Sequence, residues 1–301
     1  MSIRFDEKVV VITGAGGGLG RMYALNLAKL GARVCVNDLG GTEDGTGSSL
    51  APARNVAEEI EAAGGEAIAN YDDVSQTDGA NNLIRQTLDR FGTIDALICN
   101  AGILRDKTFL KMPVEDFELV LRVHLLGSVY VTKAAFPVMK EKGYGRIVLT
   151  TSVAGLFGNF GQTNYSAAKL GIVGFMNSLK LEALRYNVLI NTIAPLAMTR
   201  LGAGAFPNEL TAELKPGFIT PAVAYLCSDQ CRTTGDIISA AGGWYRKVQM
   251  VESRGIHVES ESQATPEMIA TSFGDIRDMG GARSFGSAQE EFESILKPPS
   301  R

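Results

Sequence analysis

The chain has 301 residues, 45% of them hydrophobic, which supplies a sizeable core for one or two domains. Lys and Arg total 29 against 33 Asp and Glu, a net charge of -4 with no basic block; this excludes the electrostatic footprint of a nucleic-acid binder and favours a small-molecule partner. Cys35, Cys99, Cys227 and Cys231 lack the paired spacing of a zinc site, so no metal is expected, and free thiols in a reducing cytoplasm are the simpler reading. The start "MSIRFDEKVVVIT" lacks the long apolar segment of a signal peptide, and no run approaches the roughly eighteen residues of a membrane span, so a soluble cytoplasmic protein without a membrane partner is expected.

In chain order, short β-branched runs fall at 8–13, 33–38, 66–71, 94–99, 146–151, 188–193 and 235–240, with helical stretches between them. Seven strands in βα alternation predict a doubly wound, parallel seven-stranded α/β sheet of the Rossmann type with helices on both faces. In such sheets ligands bind beyond the carboxyl ends of the strands, near the point where strand order reverses. The predicted division is a dinucleotide-binding domain over 1–243 and a C-terminal extension over 244–301.

The first strand is followed by "TGAGGGLG" (13–20), which opens a helix. Glycines in this context let the backbone turn tightly and approach a pyrophosphate seated at the helix N-terminus. Asp38 ends the second strand about twenty residues beyond Gly18, where a carboxylate accepts hydrogen bonds from ribose hydroxyls and repels a 2'-phosphate, which favours NAD over NADP. With "YDDVS" (71–75) after the third strand and "CNAG" (99–102) after the fourth, the expected cofactor residues are Gly14, Gly18, Leu19, Gly20, Asp38, Asp73, Val74, Asn100, Ala101 and Gly102. The Gly/Ser-rich stretch 39–52 is longer than an ordinary βα connection and reads either as a mobile surface loop or as part of the cofactor wall.

Ser152 lies just past the fifth strand, and Tyr165 and Lys169 are four apart on the next helix, so an ammonium and a phenol share one face. A nearby positive charge lowers a phenol pKa towards working pH, which equips Tyr165 as the acid/base, with Ser152 on the substrate oxygen. In the tail, Thr265 and Pro266 open one short helix carrying Ile269, Phe273 and Ile276, and Ser287 with Glu290 forms a capping box for a second carrying Phe292, Ile295 and Leu296. The expectation is that these helices cover the substrate mouth or pack on a second subunit.

"TGAGGGLG", "NAG", Ser152, "YSAAK" and "NTIAP" stand in the order found in short-chain dehydrogenases/reductases, a family the chain resembles over about residues 5–243. The resemblance implies hydride exchange with nicotinamide, Tyr165 as acid/base, Lys169 also on the nicotinamide ribose, Pro195, Leu196 and Thr199 beside the nicotinamide and pyrophosphate, and a homo-oligomer, a dimer before a tetramer. Leu196 stands where the family usually has glycine. "VNDLGG", "NAGILRD", "RVHLLGS" and "GNFGQTNYSAAKLG" resemble more narrowly the (3R)-hydroxyacyl-CoA dehydrogenase branch of peroxisomal multifunctional enzymes type 2, which implies NAD-dependent oxidation of (3R)-hydroxyacyl-CoA to 3-ketoacyl-CoA. A hydroxysteroid or other secondary-alcohol dehydrogenase, and a non-catalytic NAD-binding scaffold, are the alternatives. His124 occupies the position of a family asparagine tied to a helix bend and a proton relay, so it is counted with the catalytic set, as a relay support or as a structural substitute that holds the bend.

Overall fold

The near-continuous apolar runs become strands buried on both faces, and the computed structural model describes residues 2–197 and 214–296. The strands are β1 (Val9–Thr13), β2 (Arg33–Asn37), β3 (Glu66–Asn70), β4 (Ala96–Cys99), β5 (Gly145–Thr150), β6 (Val188–Leu196), β7 (Ile237–Ala241) and β8 (Trp244–Val248). They form one sheet in the order β3-β2-β1-β4-β5-β6-β7-β8. The first seven are parallel. Strand order reverses between β1 and β4, which places the crevice at their carboxyl ends.

Alternation along each strand sends Val10, Ile12, Val34, Val36, Ile98 and Val148 to one face, where they pack with Tyr23 and Leu27 of α1 (Gly18–Lys29), Val56 and Ile60 of α2 (Ala51–Ala62), and Val223 of α8 (Thr220–Cys227). The intervening Val9, Val11, Leu97 and Ile147 are equally buried and face the other way. On that side lie α3 (Thr77–Phe91), α5 (Gly127–Lys142) and α7 (Thr163–Ala183). Burying each such side chain contributes about 1.5–3 kcal/mol.

The eighth strand corrects the expected count of seven. Gly242 and Gly243, both at positive φ, make a two-residue turn after β7, and a connection this short joins only antiparallel neighbours. Lys247 pairs with Asp236 at 2.7 Å, and the Tyr245 hydroxyl donates to the Phe218 carbonyl at 2.8 Å. By its contacts the chain forms two compact units, Met1–Lys247 and Val248–Arg301.

In the second unit Thr265 caps α9 (Pro266–Thr271) by accepting from the Met268 N–H, and the helix breaks at Ser272 before α10 (Phe273–Ile276), so the single helix expected there is two. Before α11 (Ala288–Leu296) the Glu290 N–H donates to Ser287 Oγ at 3.1 Å, while its carboxylate accepts from Gly286, one residue earlier than a capping box requires.

The stretch Val114–Lys142 is continuous helix and, against expectation, long and apolar enough to cross a membrane by length and composition. Val120, Val131, Ala135 and Met139 within it are buried in the domain, the pattern of a core helix. It comprises α4 (Val114–Leu121), a π-helical turn at Arg122–Leu126, and α5.

At the sheet's amino end the Asp95 carboxylate accepts from the Val9 N–H at 2.9 Å and from the Lys142 ammonium at 2.8 Å, tying β1, β4 and α5 together. Asp95→Ala leaves both donors without that partner and should destabilise the fold by about 2 kcal/mol in denaturant unfolding, while cofactor affinity, set at the opposite end of the sheet, stays within about twofold.

Candidate active site

The turn after β1 needs glycine for two physical reasons. Gly14 and Gly18 have φ of +63° and +51°, and a Cβ on Gly14 would sit 2.7 Å from the Ala101 Cα, while one on Gly20 would collide with the Gly14 carbonyl. No side chain caps α1, whose first N–H groups are left to an external anion. Across the crevice the Thr13 Oγ1 accepts from the Asn100 and Ala101 N–H groups at 3.0 and 3.1 Å, and Asn100 Nδ2 donates to the carbonyls of Thr13 and Gly14. These bonds stitch the ends of β1 and β4.

Asp38 does more than the sequence suggests. Its carboxylate accepts from the Gly16 N–H at 2.8 Å and the Gly40 N–H at 2.7 Å, so one side chain fixes both the glycine turn and the long loop that follows β2. That loop is folded against the cavity, with Gly41, Thr42, Glu43 and Gly45 in its wall. Asp73 accepts from the Ser75 N–H and Val74 is buried beside it. Asp72, which the sequence reading passed over, accepts from both Asn70 Nδ2 and Asn82 Nδ2 at 2.6 Å, and Asn37 donates to the Asn70 side chain. Polar Asn37 and Asn70 at the ends of apolar strands were the available signal.

Ser152 leaves β5 as the N-cap of α6 (Val153–Phe157), its Oγ accepting from the Ala154 N–H at 3.2 Å. Lys169 is 2% exposed and donates to the Thr150 carbonyl at 2.7 Å, and its Nζ lies 5.5 Å from the centre of the Tyr165 ring. Burial pushes the Lys169 ammonium down to about 7. Burial also raises the Tyr165 phenol; the Ser152 hydrogen bond pulls it partly back, and the Asp106 charge adds to the rise. The expected lowering of the phenol by Lys169 is therefore not what the structure shows, because desolvation governs both groups.

His124 sits in the π-helical turn, 3% exposed, with its ring edge-on to Tyr165 at 5.1 Å. Nε2 lies 2.8 Å from the Ile103 carbonyl and 3.1 Å from its N–H, so the ring is held by the strand-exit segment, and Nδ1 is buried without a partner. Burial, helped by the Lys169 charge, holds the imidazole well below its ordinary range, so it is neutral at working pH. Gly102 has to be glycine, since a Cβ there would overlap the imidazole. In this arrangement the imidazole is held in place between Ile103 and the Tyr165 ring.

One cavity of about 390 Å³ brings together Gly14, Gly18, Leu19, Asp38, Asp73, Val74, Asn100, Ala101, Gly102, His124, Ser152, Tyr165, Lys169, Pro195 and Leu196. Gly20 lies behind it, packing α1 onto the Gly14 carbonyl. Leu196 continues β6 and pairs with Ala241, so its backbone is an ordinary strand. Thr199 lies outside the described residues, as does most of 202–216. Leu104, Asn159 and Gln162 also line the cavity; they fall within "NAGILRD" and "GNFGQTNYSAAKLG" but were assigned no site role from the sequence.

A glycine turn open to an anion, a carboxylate at the end of β2 and a serine, tyrosine and lysine at the far end fit a nicotinamide dinucleotide and define an oxidoreductase acting on CH–OH groups. The model of the short chain dehydrogenase family matches residues 8–202, and the chain belongs to that family. A Mycobacterium tuberculosis protein named as a short-chain type dehydrogenase/reductase is 47% identical over 281 residues, covering 93% of this chain and 98% of its own length. Drosophila melanogaster peroxisomal multifunctional enzyme type 2 is 45% identical over 297 residues, 98% of this chain and 49% of that enzyme, so the chain spans about half of this relative. The solved structure of that full-length enzyme superposes with a TM-score of 0.83, at 40% identity, over 98% of this chain and 50% of its own. A 7α-hydroxysteroid dehydrogenase solved with NADH and 7-oxo glycochenodeoxycholic acid gives 0.72, at 27% identity, over 80% of this chain and 95% of its own.

If His124 acts as a neutral strut, His124→Asn should lower kcat but leave the shape of its pH profile unchanged between about pH 6 and 9, because no limb belongs to the imidazole. Loss of an acidic limb in the variant would assign a titrating role instead.

Proposed function

We propose that the protein oxidises (3R)-hydroxyacyl-CoA to 3-ketoacyl-CoA with NAD. The observation that carries this reading is the Ser152, Tyr165 and Lys169 set at one end of a cavity whose other end holds Asp38, in a chain similar over nearly its whole length to the multifunctional enzymes. Bound nicotinamide supplies the hydride acceptor. The substrate hydroxyl donates its proton to the Tyr165 oxygen as its C–H hydrogen leaves with the bonding pair, and Ser152 Oγ hydrogen-bonds the oxygen that becomes the carbonyl.

Burial raises the phenol above its ordinary range, which suits it to donate a proton in reduction; oxidation draws on the phenolate, whose charge Lys169 and Ser152 are placed to stabilise. Exposed Phe157 and Phe160 flank Asn159 of the cavity wall and offer apolar surface to an acyl chain. Lys169 is the one Lys or Arg among the cavity's described lining residues and is tied to the Thr150 carbonyl beside Tyr165, while the carboxylate of Asp38 stands at the end of β2, which supports NAD over NADP.

A second reading, a hydroxysteroid dehydrogenase, is favoured by the structural similarity to the 7α-hydroxysteroid enzyme. A homodimer is part of our proposal: Ala167, Leu170, Gly174, Ser178 and Leu181 make one exposed stripe of small and apolar residues along α7, suited to a twofold copy of itself. Sedimentation should then give twice the 32.1 kDa chain mass, and a monomer at micromolar concentration would count against it. A cytoplasmic site of action, consistent with four free buried thiols, completes the proposal and is checked by cell fractionation.

The deciding assay pairs (3R)- and (3S)-hydroxyacyl-CoA with NAD and NADP, and adds a hydroxysteroid. The expected result is reduction of NAD with the (3R) thioester, an oxidation rate that climbs with pH towards the raised Tyr165 pKa, and a loss of about 10²–10⁴ in kcat for Tyr165→Phe. Turnover of the steroid with neither thioester enantiomer oxidised would sink the acyl-CoA assignment.

A further inference from the structure

The segment that leaves β4, residues 102–108, has no helix of its own, yet it bonds to the loop after β2, to α4 and to the start of α7. Towards the cofactor loop, the Leu104 N–H donates to the Glu43 carbonyl at 2.9 Å and Arg105 Nε donates to the Asp44 carbonyl at 2.8 Å. Towards α4, Arg105 Nη1 donates to Asp116 at 2.6 Å. Towards α7, the buried Asn164 donates to the Arg105 carbonyl at 2.9 Å and accepts from the Tyr165 N–H at 2.7 Å, while the Lys107 N–H donates to the Gly161 carbonyl at 2.9 Å.

We infer that Arg105 is a positioning residue that couples the loop at the adenosine end of the cavity to the helix carrying Tyr165, so that a dinucleotide seated against residues 39–50 organises the catalytic end. Arg105 lies outside the cavity wall and acts only through its partners. The planar guanidinium reaches two acceptors in fixed directions at once, one on each side of the strap. Its partner stays charged: hydrogen bonds from Lys107 and Arg105 hold the Asp116 carboxyl below the usual carboxylate range. With the side chain tied to both Asp44 and Asp116 and its carbonyl tied to Asn164, a shift of the cofactor loop is transmitted one residue from the phenol. The inference rests on the dinucleotide reading of the site and is independent of the acyl-CoA assignment.

Arg105→Lys separates the two ties, because an ammonium keeps the charge beside Asp116 but cannot also hold the Asp44 carbonyl in the guanidinium's geometry. The test is hydrogen exchange on the full chain with and without NADH, and in parallel with NADPH, with no acyl-CoA present. In the parent protein the dinucleotide should slow exchange at 14–20, 39–50 and 159–166. In Arg105→Lys protection should persist at 14–20 and fall at least about threefold at 159–166, and kcat should drop about tenfold or more while the KM for the dinucleotide moves less than about threefold. Lys107→Ala, which removes the other partner of Asp116 without touching the loop, should retain the parent pattern. If Arg105→Lys fails to fold, Asp116→Asn, which weakens the guanidinium's anchor and spares the backbone bonds, should give the same loss at 159–166. Protection at 14–20 without any at 159–166 in the parent, or undiminished protection there in the variant, overturns the coupling. Absence of protection at 14–20 with both dinucleotides overturns the cofactor reading instead.

Discussion

The site depends on one constraint, the reversal of strand order between β1 and β4. Two parallel strands whose following helices pack on opposite faces must part beyond their carboxyl ends, and the gap has to be closed without filling it. Here the closure is made by Thr13 and Asn100, whose side chains bond across to the opposite backbone and fix the glycine turn against Ala101. The direction of α1, the reach of Asp38 to the Gly16 amide and the exit path of residues 102–108 all follow from that stitch. Ser152, Tyr165 and Lys169 come from the end of β5 and from α7, one strand further out, and meet the crevice because β5 pairs directly with β4.

Much of this was legible in the sequence where chemistry and period coincide. The β-branched runs, the glycine turn opening a helix, Asp38 at a strand end and the four-residue spacing of Tyr165 and Lys169 are local patterns, and a local pattern survives folding. The eighth strand was written as "GGWYRKV", a two-residue glycine turn before a short run, but its exposed, charged residues lack the apolar signature that identified the other strands. What stayed hidden depends on burial. Lys169 and Tyr165 sit correctly by spacing, yet the desolvation that shifts both is a property of the packed core and has no counterpart in a spacing of four. Asp38 likewise reads as a lone carboxylate until the loop it holds is seen folded back on it.

The second unit shows the reverse case. Its caps at Thr265 and Ser287 are local and were readable, whereas the interruption at Ser272 was not, since apolar periodicity continues across it through Phe273 and Ile276. Periodicity reports which residues want one face; it does not report whether the backbone between them stays helical.

The contact between Gly102 and the His124 imidazole links two positions that are far apart in the chain and belong to different motifs. The constraint runs mainly one way. A side chain at 102 becomes admissible only with something smaller than imidazole at 124, and a smaller residue at 124 leaves a void that glycine at 102 cannot fill. Room for a side chain at 102 is therefore set by the residue at 124, whereas glycine at 102 accommodates imidazole or anything smaller.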